Sequence, residues 1–246
     1  MQIALLPDDR PRRLAEIDRR LRRRFGPQGP FLRLDPVSQL VLALIGGRTQ
    51  GHVSKAAFEA LLVRFGSWEA VRDAPVAEIR ETIGAVTYAE VKAPRLKAAL
   101  ETITRTEGGL TLDRLESLSV DQALAWLERL PGVGRKVAAA TLNFSTLRKV
   151  ALVIDTHHLR VLRRLGLVGP RSGFRQAHDH MMPLVPRDWT AAEVDEHHQL
   201  MKTLGQTICR HDILECGGCP LSDCCPTASL VPTRRGGAEI QASGAR

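Results

Sequence analysis

Leu130-Pro131-Gly132-Val133-Gly134-Arg135-Lys136 is the stretch on which the fold turns. Ala123, Trp126, Leu127 and Leu130 recur at helical spacing before it, and Val137, Ala140, Thr141, Phe144 and Leu147 after it. Two amphipathic helices joined by a Gly-x-Gly turn make a helix-hairpin-helix. Glycines in such a turn reach backbone angles that other residues avoid, and they let the main chain approach a ligand closely. A turn that opens onto a helix start offers free N–H groups and a positive helix end, which suit a phosphate. Gly132, Gly134 and Arg135 are therefore candidate DNA contacts of the kind that position a backbone without reading its sequence. The alternative is a tight helix–helix turn with no ligand.

Working outward, helical spacing recurs in Leu40, Val41, Leu44 and Ile45, and in Val53, Ala57, Ala60 and Leu61. Ser119-Val120-Asp121-Gln122 and Thr190-Ala191-Ala192-Glu193 fit capping boxes and predict two helix starts. Pro75 suits a first helical turn. Only residues 150–154 read as extended, and they are too few to found a sheet. The fold class is therefore all-α. Residues 10–25 hold eight arginines interleaved with Leu14, Ile17, Leu21 and Phe25. That pattern predicts a packed amphipathic helix with a solvated basic face. Residues 231–246 are rich in Gly, Ala and Arg and are expected to be disordered. No internal repeat is evident.

A chain of 246 residues can bury one core or two small ones. A net charge of +8 and a pI near 9.8 favour a polyanionic partner. A basic surface that only keeps the chain soluble is the alternative. Residues 1–6 run into Pro7, two aspartates and several arginines, so no secretory signal is expected. No apolar run approaches a membrane span. The expectation is a cytoplasmic, nucleoid-associated protein with reduced thiols. All five cysteines lie between Cys209 and Cys225, a crowding that points to metal ligands rather than a disulfide framework.

Lys136 stands at the start of the helix after the hairpin. A lysine in a basic protein is ordinarily a solvated charge or a phosphate contact. To act as a nucleophile its amine must be partly neutral, so burial or neighbouring cations must lower its pKa. Arg135 and the helix start are the candidates for that effect. Asp155 lies in Val153-Ile154-Asp155-Thr156-His157, ahead of the run Leu159, Val161, Leu162 and Leu165, and reads as a helix N-cap. If the extended segment returns it to the hairpin helix, an amine and a carboxylate face one sugar, a pair able to cut a glycosidic bond. Cys209, Cys216, Cys219 and Cys225 have the spacing C-x6-C-x2-C-x5-C. Four thiolates can hold a [4Fe–4S] cluster or a zinc ion. Cys224, beside Cys225, is a rival for the last ligand.

The hairpin, Lys136 and the Ile154-Asp155-Thr156-His157 string resemble the endonuclease III family of helix-hairpin-helix DNA glycosylases, from about Pro36 to Cys225. The resemblance implies a bifunctional DNA glycosylase and abasic-site lyase of base excision repair, acting as a monomer on double-stranded DNA with a damaged base or abasic site. Lys136 would attack C1′ of a flipped nucleotide, Asp155 would support the cationic transition state, and β-elimination would nick the strand. Oxidised pyrimidines are the implied substrate, with mismatched, deaminated or alkylated bases as the alternative. A non-catalytic DNA-binding or redox-sensing relative is the rival from another class. The cysteine spacing, with Gly205-Gln206 before it and Pro220 within it, resembles that family's [4Fe–4S] loop, with Cys209, Cys216, Cys219 and Cys225 as ligands. The implied architecture is two-lobed. A six-helix barrel would span residues 36–148, and a cluster lobe would combine 1–35 with 149–230.

Two positions depart from the family pattern. Where it has a glutamine that fills the gap left by the flipped base, this chain has Arg48 in Gly46-Gly47-Arg48-Thr49-Gln50-Gly51. Gln50 is the substitute if the turn is rebuilt. Where the family often has a leucine wedge, this chain has Tyr88, its only tyrosine. An aromatic ring can stack on a base. Arginine can stack and donate several hydrogen bonds. Alternative roles are an ordinary phosphate contact for Arg48 and packing between helices for Tyr88.

Overall fold

The computed structural model describes residues 10–230 apart from Pro30 and Leu32. The expected disorder of residues 231–246 falls outside that range. Eleven α-helices dominate the described residues: α1 (Arg10–Phe25), α2 (Pro36–Ile45), α3 (Gly51–Phe65), α4 (Trp68–Asp73), α5 (Val76–Thr82), α6 (Ala89–Glu107), α7 (Val120–Leu127), α8 (Arg135–Phe144), α9 (Thr156–Arg164), α10 (Phe174–Met181) and α11 (Ala191–Thr207). Among the described residues there is no strand, only the isolated bridges Leu34–Ser145 and Cys209–Leu214. The all-α expectation holds.

Local chemistry sets the helix starts. The Asp35 carboxylate accepts from the Ser38 N–H at 3.0 Å, and Pro36 takes the first helical position of α2. The predicted capping boxes form at Ser119/Gln122 and Thr190/Glu193. Pro75 is the N-cap of α5 rather than a first-turn residue, with φ −58° and ψ 138°.

The helices share two hydrophobic cores. The first draws Val41, Leu61, Ile79, Leu100, Leu127 and Leu142 from α2, α3, α5, α6, α7 and α8. The stretch 36–148 holds seven helices, of which α4 and α5 have only six and seven residues. The second core draws Leu14, Ile17 and Leu21 of α1 together with Leu162 of α9, Met181 of α10 and Met201 of α11. Its basic helix is a packed one. Arg13 donates to the Leu165 carbonyl at 2.6 Å, Arg20 pairs with Asp223 at 2.6 Å, and Arg22 pairs with Asp18 and Glu196 at 2.6 and 2.7 Å.

Residues 150–154 run extended between the two cores. Ala151 and Val153 join the first, and Leu152 and Ile154 join the second. An extended chain turns successive side chains to opposite sides, so a segment only five residues long can seal two cores at once. It delivers Asp155 to the seam between them.

Candidate active site and cysteine loop

The hairpin closes with Val133 N–H donating to the Leu130 carbonyl at 3.1 Å. Gly132 has φ +78°, and an added Cβ would lie 2.9 Å from Arg95 Cδ, so both backbone and space require glycine. Gly134 caps α8 in an extended conformation with no side-chain cap, and an added Cβ would meet nothing within 4 Å. No side chain caps the first N–H groups of α8. Arg135 points elsewhere. It pairs with Glu128 at 2.8 Å and with Asp179, lies 3.0 Å from His178 Nδ1, and its side chain is 11% exposed.

Lys136, half-buried in the first turn of α8, and Asp155 act on each other's charge. The Asp155 carboxylate accepts from His158 N–H at 2.8 Å, the predicted N-cap bond of α9. Helix α11 supplies the remaining partners. His198 Nδ1 lies 2.7 Å from the Val153 carbonyl, two residues before Asp155. At Gly205 the same helix presses on α9, where an added Cβ would lie 2.8 Å from His157 Cβ. Between these two contacts, one turn on from His198, stands Lys202. Burial pushes the Lys136 amine below the ordinary lysine value; Asp155 pulls it back up, and Lys202 pushes it down again. Burial also raises Asp155, but His198, the His158 N–H, His157 and Lys202 together hold it below the ordinary carboxylate value.

One feature here differs from the sequence reading. Arg135 was the expected cation beside Lys136, yet its charge is matched by two carboxylates and Lys202 takes that part. His178, His197 and His198 are all buried. The one signal for Lys202 in the sequence was its four-residue spacing from His198.

Arg48 and Tyr88 lie on two turns that meet. Both are non-glycine residues in the left-handed region, with φ 56° and 61°, and both side chains are exposed. Thr49 Oγ1 accepts from Thr87 N–H at 3.2 Å and from Lys92 Nζ at 3.1 Å. Lys92 Nζ also donates to the Ile45 and Gly47 carbonyls at 2.7 and 2.5 Å. Burial, with the Lys136 charge adding to it, pushes the Lys92 amine down to about 8. Gln50 is exposed at the N-cap of α3 and makes no capping bond.

Cys209, Cys216, Cys219 and Cys225 line one small cavity with Arg164 and Ile208. Cys224 is not among its walls; its thiol donates to the Leu221 carbonyl at 3.4 Å. Arg164 Nη1 lies 3.3 Å from Cys209 Sγ, a donor aimed at that sulfur. Burial, then the other thiols, lift Cys216, and burial pushes Cys219 up to about 11 with the other three thiols adding to it. Four thiols around one space are the donor set of a thiolate-ligated metal centre. Among the described residues, no group of three or more His, Cys, Asp or Glu side chains is placed to hold a metal ion. No helix among the described residues is long and apolar enough to cross a membrane.

Residues 41–187 match the HhH-GPD superfamily of base excision DNA repair proteins. Endonuclease III of Synechocystis sp. is 28% identical over 195 residues, which cover 78% of this chain and 82% of that protein. The chain spans between 9% and 50% of the length of several plant relatives. A trapped endonuclease III–DNA covalent intermediate aligns with TM-score 0.74 at 18% identity, covering 89% of this chain and 97% of that one. A thermostable thymine-DNA glycosylase aligns with TM-score 0.71 at 19% identity, covering 91% and 98%. The family match covers most of the chain and takes in the hairpin, Lys136 and Asp155 together: this protein belongs to the HhH-GPD superfamily of base excision DNA repair proteins and has the endonuclease III fold.

Proposed function

We propose that this chain is a bifunctional DNA glycosylase and abasic-site lyase, acting on double-stranded DNA that carries a damaged base or an abasic site. One observation carries the reading. An amine lowered by burial and a carboxylate kept anionic share the seam between two cores, beside a hairpin whose following helix has no side-chain cap. The target nucleotide must leave the helical stack, because its C1′ is shielded in the duplex. Neutral Lys136 Nζ forms a bond to C1′ as the bond from C1′ to the base breaks, and the base departs with that electron pair. The Asp155 carboxylate stabilises the positive charge that develops on the sugar. Loss of a proton from nitrogen and opening of the ring leave a Schiff base, and β-elimination then breaks the C3′–O bond. Gly132 and Gly134 bring the main chain close to the DNA backbone, and Arg135 braces the hairpin through Glu128 and Asp179.

In this reading the two cores are two lobes, with residues 36–148 forming one and the second combining α1 with residues 149–230. Cys209, Cys216, Cys219 and Cys225 hold a [4Fe–4S] cluster that staples the C-terminal loop to α9 and α11. Their shared cavity, which Cys224 does not line, supports this. Arg48 and Tyr88 fill the gap in the duplex, and oxidised pyrimidines are the substrate.

Borohydride trapping on duplex DNA with one abasic site tests the reaction. Wild-type protein is expected to form a covalent adduct, and Lys136→Gln to form none. No adduct with the wild type would overturn the enzymatic reading in favour of a DNA-binding protein. A panel of oxidised, deaminated, alkylated and mismatched bases then assigns the lesion.

A further inference from the structure

We propose that Lys92 is a positioning residue that locks the Arg48 turn to the Tyr88 turn, so that both side chains enter an opened duplex as one rigid unit. This rests on the glycosylase reading above. Three non-glycine residues among those described have positive φ, and two of them are Arg48 and Tyr88. Such backbones are unfavourable and persist only where the surroundings hold them. What spans the two turns is one amine and one hydroxyl. Lys92 rises from the first turn of α6, immediately after Tyr88, and reaches back across the gap. Its Nζ is held by the Ile45 carbonyl at the end of α2 and by the Gly47 carbonyl next to Arg48. A cation also suits the negative end of a helix. Thr49 Oγ1 completes the tie, accepting from both Lys92 and the Thr87 N–H on the Tyr88 side. Three residues later than Arg48 the chain is already helical, so the turn has little length in which to adapt.

The arrangement makes extrusion of the target nucleotide and filling of the gap it leaves, rather than bond cleavage, the step that depends on Lys92. Single-stranded abasic DNA needs no gap filled, whereas duplex abasic DNA does. Lys92→Met keeps the apolar stem and removes the donors. Read at a pH above the Lys136 midpoint, where loss of the Lys92 charge no longer alters how much neutral amine is present, it is expected to lower the rate of borohydride trapping on duplex abasic DNA by about tenfold, as a small misplacement of positioning groups does, and to leave trapping on the single strand within about twofold. Thr49→Val, which removes only the shared hydroxyl, should give the same split at about threefold, and it carries the test if Lys92→Met does not fold. Lys92→Arg, with donors restored, should recover most of the duplex rate. Equal losses on both substrates, or no loss on either in both variants, would overturn the proposal. If the wild type trapped neither substrate, the glycosylase reading itself would fail, and Lys92 would have no such step to serve.

Discussion

In the proposed reaction Lys136 has to be neutral to attack a sugar, and it stands among charges of both signs. Lys202 destabilises its protonated form, while Asp155 stabilises it. Substitutions of the two neighbours should therefore move the reaction in opposite directions on the pH axis. Lys202→Met removes a positive neighbour, so the Lys136 pKa rises, trapping near neutral pH slows, and the half-maximal rate moves to higher pH. Asp155→Asn removes a negative neighbour, so the same midpoint moves to lower pH, while base removal slows by about 100-fold because the cationic transition state loses its anion. Trapping rates across a pH series read both, and a shift of the two midpoints in the same direction would contradict this electrostatic account. Lys136 and Asp155 were legible in the sequence because each sits inside a local string with its own helix start. Lys202 was not, because what makes it important is proximity across α8, α9 and α11.

Among the elements, the hairpin separates two uses of glycine. Gly132→Ala must hold φ +78° with its Cβ against Arg95, and should lower folding stability by about 1–3 kcal/mol in urea unfolding. Gly134→Ala meets no neighbour and should change stability little, yet it adds a methyl group at the uncapped start of α8 and should weaken binding to abasic duplex. Equal stability losses in the two variants would refute this division. The cysteine loop allows a similar contrast. Cys225→Ser should lose iron and sulfide and the visible absorbance of the purified protein, whereas Cys224→Ser should keep them, because only Cys225 shares a wall with the other three thiols. Capping boxes, the basic amphipathic helix and the hairpin were legible because each is settled by residues a few positions apart. The brevity of α4 and α5 was not, since helices of one to two turns carry too few residues for periodicity to show.

At the scale of the whole molecule, the two cores are joined by residues 150–154 and by a buried carboxylate. Asp195 of α11, 2% exposed, lies 2.8 Å from Arg33 ahead of α2 and 3.7 Å from Arg148 after α8. Asp195→Ala leaves two partly buried arginines without their shared anion and should cost about 3 kcal/mol in chemical unfolding. Trapping activity per folded molecule should stay unchanged, and a loss of activity without a loss of stability would show that Asp195 serves the reaction instead.

The sequence by itself determined the all-α class, the hairpin, the candidate pair Lys136 and Asp155 and the cysteine spacing. Helical period, capping and glycine conformation act over a few neighbouring residues and leave their mark in the linear order. Only the tertiary structure decided which charges surround Lys136, that His197 and His198 are buried, that Arg135 is neutralised, and that Lys92 ties two turns together. Coulombic neighbours and shared hydrogen-bond acceptors depend on distance in space, and α2, α6, α8 and α11 bring together residues whose separation along the chain carries no pattern.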